Sequence, residues 1–150
     1  MDDRAVVARQ IGREPRAFLR VVVRCPWGLP AVTEQSPQDE DGNPFPTTYW
    51  LTCRHLVAVV SRIEAAGGVE RWTEAARADP ALTASLERAG EQQRTMTGRG
   101  IGGSSRGGSL KCLHAHVAYA LARPEYELGQ RILAEPEPLW PTGGCCSGQR

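Results

Sequence analysis

The run SLKCLHAHVAYALA, residues 109–122, predicts the helix that packs on the core of this protein. Ser109 is a suitable N-cap, Pro124 forces the helix to end, and the residues between them favour helix. At about 100° per residue, the apolar side chains fall on one stripe that should face the core. That stripe consists of Leu113, Val117, Ala120 and Leu121.

The same run contains potential metal ligands. The chain has only 3 histidines and 5 cysteines, and each histidine lies close in sequence to Cys53 or Cys112. Thiolate and imidazole are ligands that zinc selects. On the predicted helix, Cys112 and His116 are one turn apart on one side, whereas His114 points nearly the opposite way. We therefore predict Cys112 and His116 as ligands and His114 as a core or edge histidine.

Other cysteines could complete this site. Cys25 and Cys53 each follow a predicted strand, and the Cys145-Cys146 pair lies in a glycine-rich tail that a metal could anchor. Adjacent cysteines seldom share one tetrahedral ion, so one ligand and one spare thiol are expected from the pair. The predicted metal set is Cys25, Cys53, Cys112, His116 and Cys145, with zinc favoured over an iron-sulfur cluster because histidine is present. The alternatives are buried filler cysteines and an unpacked, oxidation-prone tail.

A glycine-rich run, residues 98–108, precedes the predicted helix. Glycines let backbone N–H groups approach an anion, arginines add charge, and the next helix presents its amino-terminal dipole. The run matches neither the Walker A pattern nor the dinucleotide fingerprint, and a flexible linker is the alternative. The predicted anion-binding residues are Arg99, Gly102, Gly103, Ser104, Arg106 and Lys111.

The rest of the chain predicts an α+β fold. β-branched and aromatic segments at 18–24, 30–34 and 47–52 indicate strands, the first two forming a hairpin. Helical patterns occupy 2–11, 70–78, 80–93 and 125–134, and another follows Cys53 up to Gly67. We predict a small antiparallel sheet of two or three strands covered by four to six helices.

Length and charge limit the classes of function. With 150 residues, 41% of them apolar, we expect one domain over 1–150, with a flexible glycine-rich loop at 98–108 and a cysteine-bearing tail at 141–150. A net charge of +1 gives no reason to expect nucleic acid binding. The absence of a signal-like start and of an apolar run near 20 residues predicts a cytoplasmic protein without a membrane span.

Three motifs resemble a known family. They are RCPWG at 24–28, DGNPFPTTYWLTC at 41–53 and KCLHAH at 111–116. Together they are similar to a bacterial, mainly actinobacterial, family: domain of unknown function family 501. The resemblance covers nearly the whole chain and implies a single cytoplasmic domain, but it implies no activity, substrate or cofactor.

Three functions remain open from the sequence, and whether the chain is an enzyme is undecided. The preferred one is a structural zinc domain with four protein ligands that serves a protein partner. The second is a zinc-dependent enzyme acting on a phosphorylated or other anionic small molecule. It would have three ligands and a water, with Lys111, Arg99 and Arg106 holding the anion. The third is a thiol redox switch at Cys145 and Cys146.

Overall fold

The computed structural model describes residues 2–45, 47–103, 108–141 and 143. Within them, the fold is α+β, as predicted. The strands are β1 (Phe18–Arg24), β2 (Pro30–Gln35) and β3 (Tyr49–Leu51). The helices are α1 (Asp3–Ile11), α2 (Arg54–Ala65), α3 (Gly68–Ala78), α4 (Pro80–Thr97), α5 (Leu113–Ala122) and α6 (Glu127–Leu133), with a short 3-10 helix at Ile101–Gly103. None of the described helices is both long and apolar enough to cross a bilayer.

The strands form one antiparallel sheet in the order β1-β2-β3. β1 and β2 make the predicted hairpin, in which Gly28 has a φ of 83° and donates its N–H to the carbonyl of Cys25. The central strand β2 is the most buried of the three, since five of its six residues are buried. β3 pairs with it through contacts such as Val32 with Leu51, and Cys53 follows as the N-cap of α2.

Helix α5 lies at the centre of the helical layer and contacts β3, α2 and α6. Leu113, Val117 and Ala120 of the predicted stripe are buried, and only Leu121 remains half-buried. Contact with α6 is close because Gly129 has no side chain: a Cβ there would lie 2.4 Å from the Cβ of Ala120. The core is therefore assembled around α5, which fixes the residues at its amino-terminal end.

The start of α5 differs from the prediction. The helix begins at Leu113 rather than near Ser109, because Lys111 has a left-handed φ of 64° that interrupts helical geometry. The hydroxyl of Ser109 accepts a hydrogen bond from the Lys111 N–H and so closes a local turn instead of capping a helix. Leu110 is held from outside the segment, since its N–H donates to Thr73 Oγ1 of α3.

Candidate metal centre

Three half-buried residues come together at the amino-terminal end of α5. Glu64 comes from the last turn of α2, Cys112 is the N-cap of α5, and His114 lies in its first turn. One carboxylate oxygen, the thiol sulfur and one imidazole nitrogen all lie within 4.8 Å of one another. Among the described residues, this is the one group of three or more histidine, cysteine or acidic side chains close enough to share a metal ion.

Glu64 joins α2 to the start of α5. Its Oε2 accepts a hydrogen bond of 2.8 Å from the Leu113 N–H, which is one of the unpaired donors at the first turn of a helix. Cys112 makes no side-chain capping bond, so Glu64, 49 residues before Leu113, performs that role. Its other oxygen, Oε1, lies 3.4 Å from His114 Nδ1.

The ring of His114 is oriented by α2. Its Nε2 lies 3.2 Å from the Val57 carbonyl oxygen and 3.1 Å from Ser61 Oγ. A carbonyl only accepts hydrogen bonds, so Nε2 carries the proton and the Nδ1 of a neutral ring presents its lone pair. That lone pair faces Cys112 Sγ at 3.8 Å and the Glu64 carboxylate. Three electron-rich atoms at these distances require a cation between them, either a proton or a metal ion.

The electrostatic setting favours the thiolate form of Cys112. The hydrogen bond with His114 is the largest effect, and together with the Ala115 N–H it holds the pKa of Cys112 below its usual value, against the opposing effect of burial. In return, Cys112 and then the charge of Glu64 raise the pKa of His114 against the opposing effect of burial. A thiol that loses its proton easily is the form that binds metals.

A cavity of about 320 Å³ adjoins the group, and Cys112 and His114 form part of its wall. Arg99 and Gly102, both predicted as anion-binding residues, line it as well. Gly102 has a φ of 62°, and a Cβ there would come within 3.1 Å of the Ala115 Cβ and 3.6 Å of the Cys112 Cβ. The remaining lining residues are Thr47, Tyr49, Trp50, Leu51 and Ala115.

Comparison with protein families identifies a family for this chain. A family model described as a protein of unknown function, DUF501, matches residues 21–96 and 86–134. The chain belongs to the DUF501 family. No curated protein and no solved structure gave a significant match. The matched part of this DUF501 chain runs from β1 to α6 and includes Glu64, Cys112 and His114.

The predicted pairing of Cys112 with His116 is wrong in this DUF501 structure. His116 is fully buried; its Nε2 donates to the Leu110 carbonyl at 3.2 Å, and its Nδ1 accepts from the Tyr126 hydroxyl at 2.7 Å. Both ring nitrogens are thus engaged, and burial lowers the pKa of His116 to about 4. The pairing fails because Cys112 precedes the helix with an extended φ of −137°, so helical spacing does not apply to it. His114, predicted as a bystander, takes the place beside Cys112.

The other predicted ligands lie elsewhere or outside the described residues. Cys25 and Cys53 are both buried in the hydrophobic core, and neither belongs to the Glu64 group. Cys145 and Cys146 fall outside the described residues, so their predicted metal and redox roles remain predictions.

The structure does not bring all of the predicted anion-binding residues together. Arg99 and Gly102 line the cavity of the DUF501 chain, while the exposed Lys111 does not. Ser104 and Arg106 lie outside the described residues, and of Gly103 the structure describes only the backbone, at the end of the 3-10 helix. Of the predicted arginines, the structure describes Arg99, and this residue lines the cavity.

Proposed function

We propose that the chain is a zinc-binding domain whose ligands are Cys112 Sγ, His114 Nδ1 and a carboxylate oxygen of Glu64. The observation that carries this proposal is the position of His114 Nδ1, which lies 3.8 Å from the Cys112 sulfur and 3.4 Å from a Glu64 carboxylate oxygen. A tetrahedral zinc ion with its usual bond lengths holds nitrogen and sulfur ligands about 3.6 Å apart, and nitrogen and oxygen ligands about 3.4 Å apart. The observed separations are close to both values.

The chemistry of the three donors favours zinc. Thiolate, imidazole and carboxylate are its usual protein ligands, whereas an iron-sulfur cluster is held mainly by several cysteines. Cys112 is the single cysteine in the described group. The surrounding contacts also suit a metal, because Nε2 of His114 donates to the Val57 carbonyl and the second oxygen of Glu64 is bound by Leu113. Such outer contacts orient metal ligands.

The number of ligands bears on what the zinc does. Three protein ligands leave one coordination position for water or substrate, the arrangement of catalytic zinc sites, and zinc lowers the pKa of a bound water to about 7. The cavity in whose wall Cys112 and His114 lie supports this open arrangement. We therefore favour zinc-dependent chemistry on a small molecule over a closed structural site. The closed alternative needs a fourth ligand, such as the predicted Cys145.

Elemental analysis tests the metal. Protein purified without added zinc should contain about one zinc per chain, and the Cys112→Ser/His114→Ala double variant should contain almost none. The matched control is His55→Ala, because His55 is a half-buried histidine on α2 outside the group. Zinc absent from the wild type, or full occupancy in the double variant with a normal circular dichroism spectrum, contradicts the proposal.

X-ray absorption distinguishes the open site from the closed one. An open site predicts one sulfur and three lighter atoms around zinc, and the same spectrum in a Cys145→Ser/Cys146→Ser variant. Two sulfurs, with loss of one in that variant, would instead support the structural domain.

A further inference from the structure

We propose that the cavity beside the centre, defined by the lining residues given above, binds a small oxyanion, a carboxylate or phosphate carried on a compact apolar body. One anion oxygen takes the open position on the zinc, and the charge pairs with Arg99. This inference rests on the proposed zinc site and adds the class of ligand to it.

Charge balance provides the first argument. A zinc ion bound by one thiolate and one carboxylate is neutral overall, because two negative ligands offset its two positive charges. Arg99, an exposed residue, then adds one positive charge to the wall of the cavity. Among the described residues, no carboxylate lies within ion-pair distance of Arg99. An anionic ligand therefore fits the cavity better than a neutral one or a cation.

The position of Arg99 is fixed by its backbone. Gly98 ends α4 in a left-handed conformation, and Thr97 Oγ1 accepts a hydrogen bond of 3.2 Å from the Arg99 N–H. The same hydroxyl lies 3.2 Å from the Arg99 carbonyl oxygen. The guanidinium thus extends from an anchored backbone, and its planar set of donors matches the two oxygens of a carboxylate or phosphate.

The remaining walls determine what the anion is attached to. Tyr49, Trp50 and Leu51 of β3 and Ala115 of α5 contribute mainly apolar surface. A volume of about 320 Å³ is near the lower end for ligand pockets, which span roughly 300–1,000 Å³. The walls therefore suit a small ligand whose apolar part lies against β3 and α5.

Cobalt(II) provides a direct test, because its visible spectrum reports on the ligands of a zinc site. The cobalt-loaded chain should be titrated with benzoate, phenyl phosphate, acetate, inorganic phosphate and the neutral benzamide. Benzoate or phenyl phosphate should change the spectrum and saturate, and whichever binds more tightly identifies the oxyanion. Acetate and inorganic phosphate should bind at least roughly tenfold more weakly, because they lack the apolar body. Benzamide should leave the spectrum unchanged.

Variants at the wall complete the test. Arg99→Ala should raise the dissociation constant of benzoate or phenyl phosphate by roughly tenfold without affecting cobalt loading, and Arg99→Lys should recover part of it. The control is Arg88→Ala, an exposed arginine on α4 away from the cavity lining, which should change neither quantity. Failure to bind cobalt at Cys112 and His114 overturns the proposed zinc site as well. Cobalt binding without any oxyanion effect, or an unchanged constant in Arg99→Ala, overturns this inference alone.

Discussion

His114 and His116 lie two residues apart on α5, yet they occupy opposite kinds of environment. His116, on the core side, is fully buried, and both of its nitrogens are hydrogen-bonded to Leu110 and Tyr126. His114, at the cavity side, keeps 23% of its side chain exposed and directs one nitrogen at a thiol and a carboxylate. The difference shows that residue type and spacing identify candidate ligands, while the partner of each ring nitrogen decides which of them can bind a metal.

The largest expected effect is on the core side. His116→Ala leaves the Leu110 carbonyl and the Tyr126 hydroxyl without their partner and opens a cavity, so it should lower the free energy of unfolding of the metal-free protein by about 3–5 kcal/mol. His114→Ala, at a half-buried position, should cost less than about 1.5 kcal/mol under the same conditions. Urea unfolding in the presence of a chelator measures both. Equal losses at the two positions would contradict the contrast between them.

Acid should reveal the same contrast. Burial lowers the pKa of His116 to about 4, so below its ordinary value of 6.5 the unfolded chain takes up a proton that the folded chain resists. The free energy of unfolding therefore decreases by up to about 3 kcal/mol as the pH falls from 6.5 to 4. Above pH 6.5, the contribution of His116 to stability is fully present. His116→Gln should remove this part of the pH dependence in metal-free protein. Identical slopes for wild type and variant would exclude His116 as its source.

Alanine substitutions at two glycines, compared with each other, isolate the effect of the close contact beside Cys112. Gly102 and Gly98 both have positive φ, so alanine strains the backbone at either position by about 1–2 kcal/mol. Only at Gly102 does the added methyl also crowd Ala115, at 3.1 Å, and touch Cys112, at 3.6 Å, since nothing lies within 4 Å of a Cβ at Gly98. We expect Gly102→Ala to weaken zinc binding, measured by competition with a chromogenic chelator. Gly98→Ala should leave it unchanged, and equal affinities in the two variants would argue against the contact.

The smallest effect is expected far from either histidine. Arg71 forms two hydrogen bonds with Glu135, and together with the N–H of Trp72 it holds the pKa of Glu135 below its usual value. The pair is partly exposed, so Glu135→Gln should cost about 0.5–1 kcal/mol above pH 4.5. That cost should disappear as the pH falls through the lowered pKa, where the wild-type carboxylate is protonated too. Thermal unfolding should show this cost and its disappearance at low pH. The zinc content of the Glu135→Gln variant should equal that of the wild type.

The sequence allowed prediction of the elements that depend on local pattern. The hairpin of β1 and β2 follows from β-branched residues on each side of a proline-glycine turn, and the Leu113 stripe follows from helical spacing. The start of α5 could not be predicted in this way. It depends on the left-handed Lys111 and on Thr73, a residue of α3 that holds Leu110 from 37 positions away.

Glu64 was missed for a related reason. It reaches the site through the packing of α2 against α5, which no short-range pattern encodes. One signal was nevertheless present: Glu64 follows Leu56 and Val60 at intervals of four, which places an acid on the apolar stripe of its own helix. An acid in that position needs a partner, and here the partners are the Leu113 N–H and His114.

The anchoring of Leu110 has a consequence for chain length. Its N–H donates to Thr73 of α3, and its carbonyl oxygen accepts from the Cys112 N–H and from His116. Because its N–H and carbonyl are both hydrogen-bonded, Leu110 is fixed in place. The number of residues that follow it therefore decides where the metal ligands lie. A single insertion after it would shift Cys112 out of reach of Glu64, whereas an insertion before it would be absorbed upstream. Aligned DUF501 sequences should therefore vary in length before Leu110 and keep one spacing from Leu110 to His114.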